Sequence, residues 1–170
     1  MNLTDQLLKE NSKNNAREIA DYIGNNSSRF KNLVAIFLNG PYLITQRSSW
    51  PLSLCVDQNP NLITSHLGVI IKFIEKPNLH NAVKRNILRV LCNLPIQKKY
   101  HASIINLCFK VVTNRSEPVA VKVHAISLLS KILVDYPSLN HELKVIIEDQ
   151  LPYATSAFIS RATKVLQKLN

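Results

Sequence analysis

The chain has 170 residues, 46% hydrophobic and 19% charged, and a formal net charge of +10. A chain of that length buries roughly 70% of its unfolded surface as one domain or a short array, so it needs neither disulfides nor a metal to fold. Only three glycines stand among abundant Leu, Ile, Val, Ala and Lys, which excludes a glycine-rich phosphate loop and argues against disorder in favour of helices joined by tight turns.

In chain order, the stretches TDQLLKE and NAREIADYI predict a helical cap over residues 1–26. SSRFKNLVAIFL and ITQRSSWPLSLC predict a hairpin over 27–57, and NLITSHLGVIIKFI and NAVKRNILRVLCNL a second over 60–93. KKYHASIINLCFKVV and EPVAVKVHAISLLSKIL predict a third over 97–135, and LNHELKVIIEDQL and FISRATKVLQKL a fourth over 138–169. Pro41, Pro60, Pro77 and Pro118 mark helix edges, because proline is tolerated in a first turn and breaks an interior. Pro51 falls inside a helix, where a kink or a shorter helix is expected, and Pro152 is expected to end one. The longest near-continuous apolar run, LGVIIKFI, is far too short for a membrane span, and the amino terminus lacks a secretory core; a soluble, cytoplasmic protein without membrane contact is expected. Cys55, Cys92 and Cys108 form no CxxC pair and read as reduced core residues.

The four second helices align on a basic residue: Arg47, Arg85, Lys122 and Arg161 recur at steps of 38, 37 and 39. A period near forty built from two helices means an array in which no hairpin buries its apolar face alone, so stacking is obligatory and the 170 residues form one repeat domain. That alignment predicts burial of Leu88, Leu91, Ala125, Ile126, Leu128, Leu129, Ile132 and Leu133.

The start of EPVAVKVHAISLL, with Val121, Lys122, Ala125 and Leu128, resembles the second-helix pattern of the HEAT-repeat (armadillo-type) family in its loosely patterned bacterial members; NAVKRNILRVL is a fainter copy. The resemblance covers residues 27 to 169. It implies an all-α fold, a right-handed α-α superhelix or solenoid of about four helical hairpins with an N-terminal cap, whose second helices line a concave inner surface. The family's loop aspartate, which partners the basic residue of the next repeat, is missing from KPNLHN and NRSEPV.

Between residues 76 and 134 ten basic residues face a single acid, Glu117, so nearly all the net charge sits in the middle repeats. Arg85 and Arg89 are one turn apart and share a face. Arg47, Arg85, Arg89, Lys122 and Lys131 are therefore the candidate partner-binding residues of a basic surface that takes a macromolecule, a protein or a nucleic acid. The competing reading is structural, each basic stem packing near a repeat interface. Chemistry finds little support. The five histidines form neither HxxxH nor HExxH, no GxSxG elbow is present, and nothing calls for a cofactor or a metal. Trp50, Arg47 and Asp57 are the only candidates for the cluster used by HEAT-like alkylpurine DNA glycosylases, the alternative reading of the resemblance. A non-enzymatic binding or scaffold module is expected.

Overall fold

The structure, a computed structural model, describes residues 1–169. Among these residues it contains ten α-helices, short 3-10 turns and no strand. The contacts divide the chain into two compact units, Met1–Val90 and a second from Leu91 onward.

In the first unit α1 (Leu3–Lys9) and α2 (Lys13–Ile23) form the cap, and α3 (Ser27–Asn39) and α4 (Tyr42–Gln58) form a hairpin. A 3-10 stretch, Pro60–His66, then runs into α5 (Leu67–Ile74), and α6 (Asn81–Asn93) begins after a turn containing Pro77. Side chains just ahead of the helices hold their starts. The Asn2 carboxamide accepts from the Thr4 and Asp5 amides, Ser12 from Asn15, and Asn26 from Arg29, each satisfying donors the first turn leaves open. The α3–α4 turn is closed by Gly40, where a Cβ would meet the Ile36 carbonyl at 2.6 Å. Phe30, Leu33 and Phe37 of α3 bury completely, as do Leu52 and Cys55 of α4, and the Phe37 and Phe73 rings meet at 4.9 Å.

Pro51 neither shortens nor ends α4, which runs on to Gln58. Proline lacks the N–H that would bond four residues back. Three buried serines bracket the gap: Ser48 donates to the Thr45 carbonyl, Ser49 to Gln46 and Ser53 to Trp50, at 2.7–3.1 Å. Hydroxyls thus supply donors to helix carbonyls around the proline.

The second unit takes in the last turn of α6, from Leu91, followed by α7 (His101–Thr113), α8 (Val119–Ile132), α9 (Asn140–Gln150) and α10 (Ser156–Leu169). Asn114 accepts from the Ser116 amide and hydroxyl, which shapes the α7–α8 loop, and α9 stops one residue before Leu151 and Pro152 enter a 3-10 turn. Helix α8 is central: it packs against both α7 and α10. Ala125, Ile126, Leu128, Leu129 and Leu133 are wholly buried, with Cys108 and Val112 of α7 and Ala162 of α10. All eight side chains expected in the core from the repeat alignment are buried.

The register between the second helices differs from the basic-residue alignment. Their first residues, Tyr42, Asn81, Val119 and Ser156, lie 39, 38 and 37 apart. Buried positions follow those steps: Ile44, Val83, Val121 and Phe158 stand third, and Ser48, Ile87, Ala125 and Ala162 seventh. Counted this way, Lys122 is a fourth residue, Arg85 a fifth, and Arg47 and Arg161 sixth. The four basic residues are therefore not one ladder, because each loop resets the helix start by a residue.

Candidate interaction surfaces

Arg47, on α4, is half-buried, and its Nη1 donates to the Leu7 and Leu8 carbonyls at 3.0 and 2.9 Å. Those are the last carbonyls of α1, the negative end of that helix, so the guanidinium acts as a cap supplied from about one repeat away. Lys131, on α8, does the same for the end of α6: its Nζ donates to Cys92 O at 3.0 Å and Leu94 O at 2.6 Å. Neither contact has a signature in sequence, since every residue carries a carbonyl.

Lys122 is only 7% exposed. Its Nζ donates to Gln150 Oε1 at 3.0 Å, and Gln150 is itself fixed by donating to the Val112 carbonyl at 2.8 Å. Burial pulls the lysine pKa down from its ordinary value, Glu117 pulls it back up, and Arg115 lowers it further. Arg89 pairs with Asp57 at 2.9 Å, which engages the carboxylate considered for glycosylase chemistry. Arg85 is exposed and reaches the neighbouring Asn86 amide oxygen at 3.3–3.4 Å, while Asn86 donates to Ser49 across to α4. Of the five candidate residues, then, Arg47 and Lys131 cap helices, Lys122 is buried, Arg89 is paired, and Arg85 stands most open.

The more open cations lie on α10. Arg161, Lys164 and Lys168 are exposed, form no described hydrogen bond or ion pair, and share one side of the helix, with Arg161 flanking the stripe of buried Phe158, Ala162 and Val165. Burial pushes the Cys92 thiol up to about 11, against the lowering influence of the Lys131 and Arg161 charges. Together α8 and α10 carry Lys122, Lys131, Arg161, Lys164 and Lys168 and no carboxylate, whereas α9 carries Glu142, Glu148 and Asp149. The spacing 161, 164, 168 was available as a signal, but a charge count that stops at residue 134 misses it. Burial also raises Cys55 to about 12 and Cys108 still further, which favours the protonated, less nucleophilic thiol at all three. Among the described residues no group of three His, Cys, Asp or Glu could hold a metal ion.

Each unit has a cavity at the same place, walled by the turns of two successive hairpins. In the first unit it measures about 290 Å³ and involves the first and fourth residues of α4, Tyr42 and Thr45, with the third of α6, Val83. In the second it measures about 280 Å³ and involves the corresponding Val119 and Lys122 of α8 with Phe158 of α10.

A family model of the HEAT repeat domain matches residues 3–169. The chain belongs to the HEAT-repeat family. Comparison with curated proteins returned no match, and neither did comparison with solved structures. HEAT repeats commonly serve as protein-interaction scaffolds. In this HEAT protein no helix among the described residues is long and apolar enough to cross a membrane.

Proposed function

We propose that this HEAT-repeat chain is a non-enzymatic binding module that holds an acidic protein partner against the α8–α10 face of its second unit. One observation carries the reading: two packed helices hold five basic residues and no acid, and three of those residues have no described partner in the fold. A field of one sign attracts a complementary partner and speeds its encounter. A protein is favoured over nucleic acid because this face offers no exposed aromatic ring on which a base could stack; Phe158, the only Phe, Tyr or Trp on either helix, is buried. Arg85 and Arg89 form a smaller basic area on α6 of the first unit, and Arg47, Lys122 and Lys131 are bonded to the fold as the scaffold of the second helices.

The test compares binding of a polyglutamate peptide and of a duplex oligonucleotide over a range of salt. Reversal of Arg161 and Lys164 to Glu is expected to weaken the peptide at least about tenfold while folding is retained. Retention of the duplex with a steep salt slope and loss of the peptide preference would transfer the face to nucleic acid. Unchanged affinity of the double variant for both anions would remove the face from the function.

A further inference from the structure

The two equivalent cavities differ in what their polar groups do. In the first unit they are already engaged. Thr45 Oγ1 lies 3.1 Å from both the Phe37 and Gly40 carbonyls, so its single proton serves the turn. Lys76 sits 4.6 Å over the Phe73 ring, and His80 Nδ1 accepts from the Ala82 amide. The position of Thr45 is held in the second unit by Lys122, an ammonium with three donors of which one has a described acceptor, Gln150 Oε1. Gln150 cannot turn to offer more, because its amide nitrogen is committed to the Val112 and Ile146 carbonyls.

Around Lys122 the cavity has an apolar wall, the side chains of Val119 and buried Phe158, and an aromatic lip, Tyr153, which is 92% exposed. Arg115 and Asp149 stand at the rim, 3.8 Å apart and both largely in solvent, where their attraction is weak. Glu117 also borders the cavity. Its charge supports the lysine by less than burial opposes it, since burial is the largest influence on Lys122 and the net direction is downward. An additional negative charge in the cavity would therefore be stabilised by an ammonium that the fold has desolvated without fully bonding.

We propose that this cavity binds an organic carboxylate carried on a short apolar body, with Lys122 receiving the carboxylate and Val119 and Phe158 the apolar part. The volume, at the lower end for ligand sites, suits a branched acid of a few carbons or the last residue of a polypeptide. This assignment is independent of the α8–α10 face, because Lys122 lies beneath that face and Arg161, Lys164 and Lys168 do not line the cavity.

Four probes test it by calorimetric titration: 4-methylpentanoate, 4-methylpentanamide, and an N-acetylated peptide ending in leucine with a free or an amidated terminus. At least one of the two acids is expected to bind with a dissociation constant of about 1 mM or tighter, and both amides are expected to fail. Binding of the small acid assigns the site to a free metabolite, and binding of the peptide acid alone assigns it to a chain end. Lys122→Met is expected to weaken the acid at least about tenfold. Val119→Asp places a carboxylate at the first residue of α8, where an acid suits the helix, and is expected to abolish binding with the thermal midpoint retained. The second variant decides the matter should the first fail to fold. Equal binding of acid and amide, no binding of any probe, or undiminished affinity in a folded variant would overturn the site.

Discussion

The second helices of the two units put their cations to different uses. In the first, Arg47 caps α1, Arg89 holds Asp57, and Arg85 reaches Asn86; the side chains that look ready for a partner in sequence are bonded to the protein. In the second, Lys131 and Lys122 are likewise turned to the fold, yet α10 adds three further cations that bond to nothing described. A basic residue on a repeat helix thus has two distinct jobs, and the acceptors within its reach decide between them. The same type of side chain is structural where a helix end or an amide lies within reach and available where only solvent does.

The largest effect expected from perturbing this comparison is common to both units. Leu52 in the first and Leu129 in the second are fully buried, and replacement of either by Ala should cost on the order of 2–5 kcal/mol in denaturant unfolding. A loss confined to one of the two would mean that only that unit depends on its second-helix core. A smaller effect separates the cations. Arg47→Met removes both bonds to the end of α1 and should cost about 1–3 kcal/mol, while Arg161→Met should change stability by no more than about 0.5 kcal/mol. Equal thermal midpoints for these two variants would erase the distinction between capping and available residues.

The smallest effect concerns pH. Because the Lys122 pKa is lowered on folding, the unfolded chain binds more protons than the native one between that lowered value and 10.5. Stability contributed by this group therefore rises as pH increases through that window, and below it the buried ammonium is a standing cost. Unfolding of wild type and Lys122→Met from neutral to alkaline pH should show the wild type gaining on the variant as pH rises. A constant difference would place Lys122 in solvent.

Much of the fold is legible in the sequence, for a plain reason: proline punctuation and a helical period are local properties. Pro41 and Pro118 immediately precede α4 and α8, and in EPVAVKVHAISLLSKIL the apolar residues at helical spacing, Val121, Ala125, Ile126, Leu128, Leu129, Ile132 and Leu133, are buried, while Val119, Ala120 and Val123 are not. At Pro51 the helix runs on to Gln58, and Ser48, Ser49 and Ser53 donate to carbonyls around it with hydroxyls that can serve helix carbonyls or face solvent equally well on paper. The basic residues mislead through register. A step of 37 rather than 39 moves Arg161 from the place of buried Lys122 to that of His124, and one residue of register turns a side chain by about 100° around a helix. The caps made by Arg47 and Lys131, and the cavity beside Lys122, depend on atoms about one repeat away and leave no mark in any local pattern.

The side-chain hydrogen bonds that join one hairpin to the next, or to the cap, span 28 to 40 residues, and each was described within a single unit. The loop that must close before any of them can form is therefore about one repeat long. The entropy of closure depends only on that length, so adding repeats would leave it the same. Assembly can begin at whichever hairpin forms first and spread to its neighbours, and such low contact order is the condition under which helical chains fold fast.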